Sequence, residues 1–212
     1  MRIPFHTSFT IAAFSFHLVA CSESFKDPRD GQSYDVVKIG DLTWMAENLN
    51  YETETSACPD GDSRNCKRLG RLYTWAEAKT VCPEGWRLPT KADFEALVIA
   101  APGNVAQSPS LSRAGAALKA SDGWFKKGNG SDALGFNALP AGYRSAVLKA
   151  DDGAITGGKF DGIGGYAYFW SATEDSENPE SNAYYLFLSF SSDAASLNAF
   201  AKEDFRSVRC VR

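Results

Sequence analysis

The sequence predicts a single domain of the α+β class. Start signals for two helices stand at Thr74 and Thr90, and strand-like segments dominate the part of the chain after Gly165. Helices near the front followed by a run of strands are typical of an α+β domain with an antiparallel sheet. The segment 32–212 is roughly 180 residues long, which suits one hydrophobic core.

The chain opens with a segment typical of an export signal. Arg2 supplies the positive charge, and the apolar run 8–20 has the length of a signal-peptide core but is too short to span a bilayer. The run ends in Leu18-Val19-Ala20-Cys21, which resembles the lipobox of bacterial lipoproteins. The resemblance implies cleavage before Cys21 and acylation of its thiol, and two or more acyl chains give stable anchoring. The alternative is an ordinary secretory signal that happens to end at a cysteine.

The polar segment 22–31 is predicted to be a tether between the lipidated Cys21 and the domain. The predicted organisation is therefore a signal peptide at 1–20, the lipidated cysteine and tether at 21–31, and the domain at 32–212. The residue after Cys21 is Ser22, whereas an aspartate at this position marks inner-membrane retention in some Gram-negative bacteria. We therefore expect a cell-envelope protein held in the outer membrane by its lipid.

Removal of the signal would change the chemistry that the protein can perform. His6 and His17, the two histidines of the chain, both lie in the segment to be cleaved. A mature chain without imidazole disfavours a Ser-His-Asp or Cys-His nucleophile and histidine-ligated zinc. Loss of Arg2 moves the charge balance from 22 − 26 = −4 to 21 − 26 = −5, which gives no electrostatic footprint for nucleic acid. We expect no enzymatic activity, no cofactor and no metal.

The first half of the domain is predicted to contain a hairpin, a loop and two helices. Residues 34–39 and 42–45 are rich in β-branched and aromatic side chains around a Gly-Asp turn. The polar segment 50–69 reads as a loop. A capping box at Thr74 and Glu77 begins a helix that ends near Val81, and Thr90 with Asp93 caps a second helix that runs to about Ala100.

The second half is predicted to contain long loops followed by strands. A weaker, alanine-rich helix is predicted over 113–119, and the segment 121–165 is dense in glycine and aspartate, which indicates loops. The predicted strands are 166–170, 183–190, 196–201 and 207–211.

The cysteine count is even once Cys21 is assigned to lipid. In an exported protein four such thiols tend to pair, and they allow three connectivities that spacing alone does not resolve. A metal site is disfavoured because no CxxC pair occurs. The four cysteines are Cys58, Cys66, Cys82 and Cys210.

Several motifs together resemble the Fibrobacter succinogenes major paralogous domain, a family of exported and often lipid-anchored proteins of unestablished activity. The resemblance spans nearly all of the chain after residue 31. The motifs are Trp44-Met45-Ala46-Glu47-Asn48-Leu49-Asn50-Tyr51, Gly70-Arg71-Leu72-Tyr73-Thr74-Trp75, Cys82-Pro83-Glu84-Gly85-Trp86-Arg87-Leu88-Pro89-Thr90, Gly135-Phe136-Asn137-Ala138-Leu139-Pro140-Ala141-Gly142-Tyr143-Arg144, Phe169-Trp170-Ser171-Ala172-Thr173 and Ser207-Val208-Arg209-Cys210-Val211-Arg212.

A wider resemblance concerns the fold. The pattern Trp75-x-x-Ala78-x-x-x-Cys82 and the ending Val208-Arg209-Cys210-Val211 look like the first helix and last strand of C-type-lectin-like domains, whose helix cysteine pairs with the last-strand cysteine. The resemblance implies Cys82–Cys210 and leaves Cys58–Cys66 to close the loop. The segment 87–94 also resembles formylglycine-generating enzymes, which share that overall fold.

The candidate sites each have an ordinary structural explanation. The acidic loop with Glu174, Asp175, Glu177 and Glu180 has oxygens suited to a hard cation, but the calcium motifs of lectins are absent and a solvated loop is favoured. The residues Asp151, Asp152 and Asp161 have the composition of a glycosidase pair, yet aspartates in a Gly-rich loop are usually turns.

Of the five tryptophans, Trp124 in the turn 122–125 is the one we expect to be exposed and to contact a ligand. The other four are expected to serve as framework or core residues; they are Trp44, Trp75, Trp86 and Trp170.

These observations lead to a lipid-anchored envelope protein that binds or adheres to a surface, with a polysaccharide or cell-surface ligand contacted by the loops 121–165. Two alternatives stay open. One is an enzyme distantly similar to the formylglycine-generating oxidases, which would need a reactive pair at Cys58 and Cys66. The other is a structural envelope protein without a small ligand.

Overall fold

The protein was analysed as a computed structural model that describes residues 23–102, 113–149 and 155–212. Within these ranges the fold mixes four short helices with largely antiparallel sheets, which confirms the α+β class. Cys21 and the predicted signal peptide lie outside the described residues. No helix in the described ranges is long and apolar enough to cross a membrane.

The N-terminal sheet has three antiparallel strands in the order β1-β2-β3. They are β1 Glu23–Lys26, β2 Ser33–Ile39 and β3 Leu42–Met45, and the β2–β3 pair is the predicted hairpin.

The prediction that residues 22–31 form a tether is wrong for the described part of that segment. Strand β1 pairs with β2 from Glu23 opposite Val36 to Lys26 opposite Ser33. The turn that follows is fixed by Asp27, whose side chain is fully buried and lies 2.7 Å from Nη2 of Arg29. Sequence polarity suggested a tether, but a buried ion pair and a strand register hold the segment in the domain.

Four helices follow in chain order: α1 Ser63–Leu69, α2 Trp75–Ala78, α3 Lys91–Ala100 and α4 Ala114–Leu118. Helix α1 lies inside the segment that was predicted to be a loop, so that prediction is wrong for its second half. The Asp62 side chain caps α1 by accepting a hydrogen bond from the Arg64 amide, a start signal hidden among polar residues. Helix α2 ends at Ala78 rather than near Val81.

The two capping boxes are confirmed. Thr74 accepts from the Glu77 amide while the Glu77 carboxylate accepts from the Thr74 amide. Thr90 and Asp93 exchange the same pair of bonds at the start of α3. Each box satisfies amide donors that a helix start otherwise leaves unpaired.

The main sheet has five strands in the order β11-β10-β9-β12-β4. Four of these are β9 Tyr166–Glu174, β10 Asn182–Ser189, β11 Ala195–Ala201 and β12 Arg206–Ser207, which lie within or close to the predicted C-terminal strands. The fifth strand is β4 Leu72–Tyr73.

The segment 121–165 is less irregular than predicted, because it contains two small antiparallel pairs. Strand β5 Ala141–Arg144 pairs with β8 Phe160–Ile163, and β6 Val147–Lys149 pairs with β7 Ile155–Gly157.

The largest hydrophobic cluster fills the space between α3, α4 and the inner face of the main sheet. Phe94 from α3, Leu118 from α4 and Phe169 from β9 are fully buried there. The two ends of the domain meet beside this cluster, because the Met45 amide donates to the Cys210 carbonyl and the Thr43 amide donates to the Arg212 carbonyl.

Candidate binding face

The two central strands of the main sheet alternate between a core-facing and an outward-facing set of side chains. On the inner side Phe169 of β9 is opposite Leu186 of β10, and both are fully buried. On the outer side Tyr168 is opposite Phe187, and both are partly exposed. This alternation follows from the two-residue period of a strand.

The outward-facing rings pack on one another across the strands. The Tyr166 and Phe187 rings stack with their centroids 5.8 Å apart and their planes at 27°. Tyr168 lies 5.1 Å from Phe187 and 5.7 Å from Tyr185. Tyr143, on the neighbouring strand β5, closes against Tyr168 at 5.2 Å. These separations are in the range at which aromatic pairs attract beyond their simple area burial.

The array continues past the end of the strands. Phe190 lies 6.0 Å from Tyr166 and 6.4 Å from Phe125. The Phe125 ring packs over Gly164, which has a φ of 78° and no room for a Cβ atom beneath that ring. At the opposite end Phe200 extends from β11. We call the whole set the aromatic face; its members are Phe125, Tyr143, Tyr166, Tyr168, Tyr185, Phe187, Phe190 and Phe200.

The aromatic face is unusual for an outer sheet surface. An antiparallel sheet with one face on the core normally presents polar side chains on the other. Here the outer side presents a continuous group of rings, and Phe125 and Phe200 are 54% and 57% exposed. Contiguous exposed apolar surface of this kind marks sites of binding to other molecules.

A buried charge lies beneath one end of the aromatic face. The Arg206 guanidinium is 4.2 Å from the Tyr185 ring centroid and 4.7 Å from that of Trp170, and its Nη2 lies 3.0 Å from Asp204. Burial lowers the pKa of Arg206 despite the Asp204 carboxylate, and burial raises the pKa of the Tyr185 hydroxyl. The ion pair and the surrounding rings therefore form a desolvated polar centre under the surface.

The expectation that Trp124 is exposed is wrong. Trp124 is 5% exposed, belongs to the main core cluster and donates from Nε1 to the Ala138 carbonyl at 3.1 Å. The turn 122–125 presents Phe125 instead. The remaining four tryptophans are buried, as expected of framework or core residues; they are Trp44, Trp75, Trp86 and Trp170.

The acidic loop is arranged for internal bonds. Glu174 pairs with Lys202 at 2.9 Å, and Asp175 accepts from the Glu177 amide and the Asn178 side chain. Among the described residues no three acidic, cysteine or histidine side chains lie close enough together to hold a metal ion. Asp161 lies in β8, while Asp151 and Asp152 lie outside the described residues.

The predicted disulfides are both present. Cys58 is bonded to Cys66, eight residues further along, and Cys82 is bonded to Cys210, a separation of 128 residues. The first bond joins the loop to helix α1, and the second ties the segment after α2 to the C-terminal end of the chain.

Sequence reasoning missed the aromatic face, although part of its signal was present. Rings stand at every second position of each strand, at Tyr166 and Tyr168 in β9 and at Tyr185 and Phe187 in β10, so each strand has a ring-bearing side. What the sequence did not show is that the two strands are adjacent and in register. That pairing brings Tyr168 and Phe187 together.

The structure is that of a disulfide-linked α+β domain with an aromatic outer surface on its main sheet. The sequence model of the Fibrobacter succinogenes major domain matches residues 37–212, and the chain therefore belongs to that family. Neither the curated proteins nor the solved structures contain a match to this chain.

Proposed function

We propose that this protein is a non-enzymatic, lipid-anchored component of the bacterial outer membrane that binds a polysaccharide through its aromatic face. The exposed ring array on the outer side of the main sheet is the observation that supports binding. The lipobox-like sequence ending at Cys21 supports the anchor. The bond between Cys82 and Cys210 supports a C-type-lectin-like arrangement of the domain, since the same pairing characterises that fold.

The chemistry of the aromatic face suits a sugar chain. A pyranose unit has an apolar C–H side that stacks on an aromatic ring and hydroxyl groups that need hydrogen-bond partners at the rim. Four of the eight rings are tyrosines, so the face offers hydroxyls beside apolar ring surfaces. Rigid aromatic side chains also lose little conformational entropy on binding. An extended array favours several consecutive sugar units over a single one.

The stacked pair Tyr166 and Phe187 provides the test. We would purify the full-length protein in mild detergent and measure its retention in native gels that contain soluble plant polysaccharides. Replacing both residues with alanine should weaken binding at least tenfold, equivalent to about 1.4 kcal/mol. The matched control is Tyr184→Ala, which removes a tyrosine from the same strand β10 on the opposite side of the sheet.

Three further results would bear on the proposal. Cys21→Ser should release the protein from the membrane fraction without changing its affinity for the polysaccharide. If Tyr184→Ala weakened binding as much as the double substitution of Tyr166 and Phe187, general destabilisation of the domain would explain the loss. Absence of binding to every polysaccharide tested would reject the proposed ligand class and favour a structural role in the envelope.

A further inference from the structure

A small cavity opens at one end of the aromatic face, directly against the buried guanidinium. Its volume is about 180 Å³, which is large enough for a carboxylate with part of the ring that bears it. Three tyrosine rings and one exposed phenylalanine form its walls, and the ion pair forms its floor. The lining residues are Tyr143, Tyr168, Tyr185, Phe200, Asp204 and Arg206.

The Arg206 side chain is 2% exposed but its hydrogen-bonding capacity is largely unused. Nη2 donates to Asp204, while the buried Nε has no partner. Within the described residues the guanidinium makes no other hydrogen bond. A buried donor without a partner costs free energy, more so on a charged group. Unused donors on a guanidinium that lines a cavity indicate that an acceptor binds there.

The Asp204 carboxylate that pairs with Arg206 accepts one hydrogen bond on each of its oxygens. Oδ2 of Asp204 accepts from Arg206, and Oδ1 accepts from the Ala146 amide at 2.9 Å. Each Asp204 oxygen therefore has a donor from the protein, whereas the Nε donor of Arg206 has no acceptor among the described residues.

The charge of Arg206 disfavours a cationic ligand in this cavity. The Arg206 guanidinium already lies 4.2 Å from the Tyr185 centroid and 5.2 Å from that of Tyr168. A second cation on the same ring faces would meet the charge of Arg206. A planar anion instead matches a guanidinium in shape and charge and accepts paired hydrogen bonds from it.

We infer that this cavity binds the carboxylate of an acidic sugar unit, so that the aromatic face selects polysaccharides containing uronic acids. The inference rests on the proposed function and narrows its ligand class. The sugar ring would stack at the cavity mouth against Phe200 and the neighbouring tyrosines, while its carboxylate reaches Arg206. Because the net charge is −4 for the full chain and −5 without Arg2, attraction to an acidic polymer must come from this local site rather than from the overall charge.

The test compares two forms of one polymer. Full-length protein in detergent would be titrated with polygalacturonate and with its methyl-esterified form, which has the same backbone without the charge. We expect the acid form to bind at least tenfold more tightly. Arg206→Gln should reduce the ratio of the two affinities to near one. The control is Arg144→Gln, which removes an arginine packed against Phe160 and Phe205 and should leave that ratio unchanged.

A second variant tests the cavity even if Arg206→Gln fails to fold. Phe200 is 57% exposed, so Phe200→Asp should fold, and its carboxylate at the cavity mouth should weaken binding of the acid form more than the ester. Equal affinity for acid and ester in the unmodified protein would overturn the inference while leaving polysaccharide binding intact. Loss of preference in Arg144→Gln as well would also overturn it, because general charge would then explain the effect. Binding of neither form would reject the site, and absence of binding to neutral glucans as well would reject the proposed function.

Discussion

Trp124 and Phe125 are adjacent in the chain, yet one is buried and the other is exposed. Trp124 is 5% exposed within the core cluster, while Phe125 is 54% exposed and packs edge-on against Phe190. Two consecutive aromatic residues therefore perform separate tasks. The first stabilises the domain and the second extends the aromatic face.

This difference in burial predicts that two alanine substitutions lower the stability of the domain by very different amounts. Trp124→Ala should lower the free energy of unfolding by about 3–5 kcal/mol, because it leaves a cavity in the core and removes one of the two hydrogen bonds that the Ala138 carbonyl accepts. Phe125→Ala should cost about 1 kcal/mol or less, since most of the ring is already in water. Urea unfolding followed by tryptophan fluorescence measures both. Unchanged stability in Trp124→Ala together with lost ligand binding would restore Trp124 as a contact residue.

The two disulfides should differ in their contribution to stability. On the chain-entropy account, stabilisation grows with the length of the closed loop. Cys82 and Cys210 are 128 residues apart, so replacing both with alanine should cost about 5 kcal/mol. Cys58 and Cys66 are 8 residues apart, and the same change there should cost about 2.5 kcal/mol. Urea unfolding of the two double variants measures the difference. The midpoints can be compared directly if the dependence of the unfolding free energy on urea concentration is the same in both variants. If removing the Cys58–Cys66 bond lowered stability more than removing the Cys82–Cys210 bond, the short bond would stabilise more of the fold than helix α1 alone.

The ion pair between Asp27 and Arg29 should make the domain sensitive to acid. Burial raises the pKa of the Asp27 carboxyl, but hydrogen bonds and charge from Arg29 outweigh it, so the folded-state pKa lies below 3.8. A lowered carboxyl pKa gives stability that is present above the unfolded pKa and is lost as the pH falls through the folded one. We therefore expect stability to decline below about pH 4, and Asp27→Asn to make that decline shallower.

Thermal midpoints between pH 7 and pH 2 measure this effect. Asp122→Asn is the control, because Asp122 is exposed and has no ion pair within the described residues. An acid response of Asp27→Asn identical to that of the unmodified protein would show that the Asp27 pair does not stabilise the fold, and that residues 23–31 are held by the strand register alone.

The features that depend on nearby residues could be predicted from the amino-acid sequence. The capping boxes at Thr74 and Thr90, the hairpin around Gly40 and the C-terminal strands all depend on side chains within a few positions of each other. The α+β class follows from the order of those local signals. The disulfide pairing followed from a family resemblance, because spacing alone left three connectivities open.

Which polar and aromatic residues face the core became clear from the three-dimensional fold. The segment at Asp27 looks like a solvated linker until Arg29 and β2 bury it, and Trp124 looks exposed until the core cluster forms around it. The aromatic face needs the register of β9 with β10, and the cavity needs β5, β11 and β12 beside them. Burial and register join residues distant in sequence, and local patterns contain no information on which distant segments become neighbours.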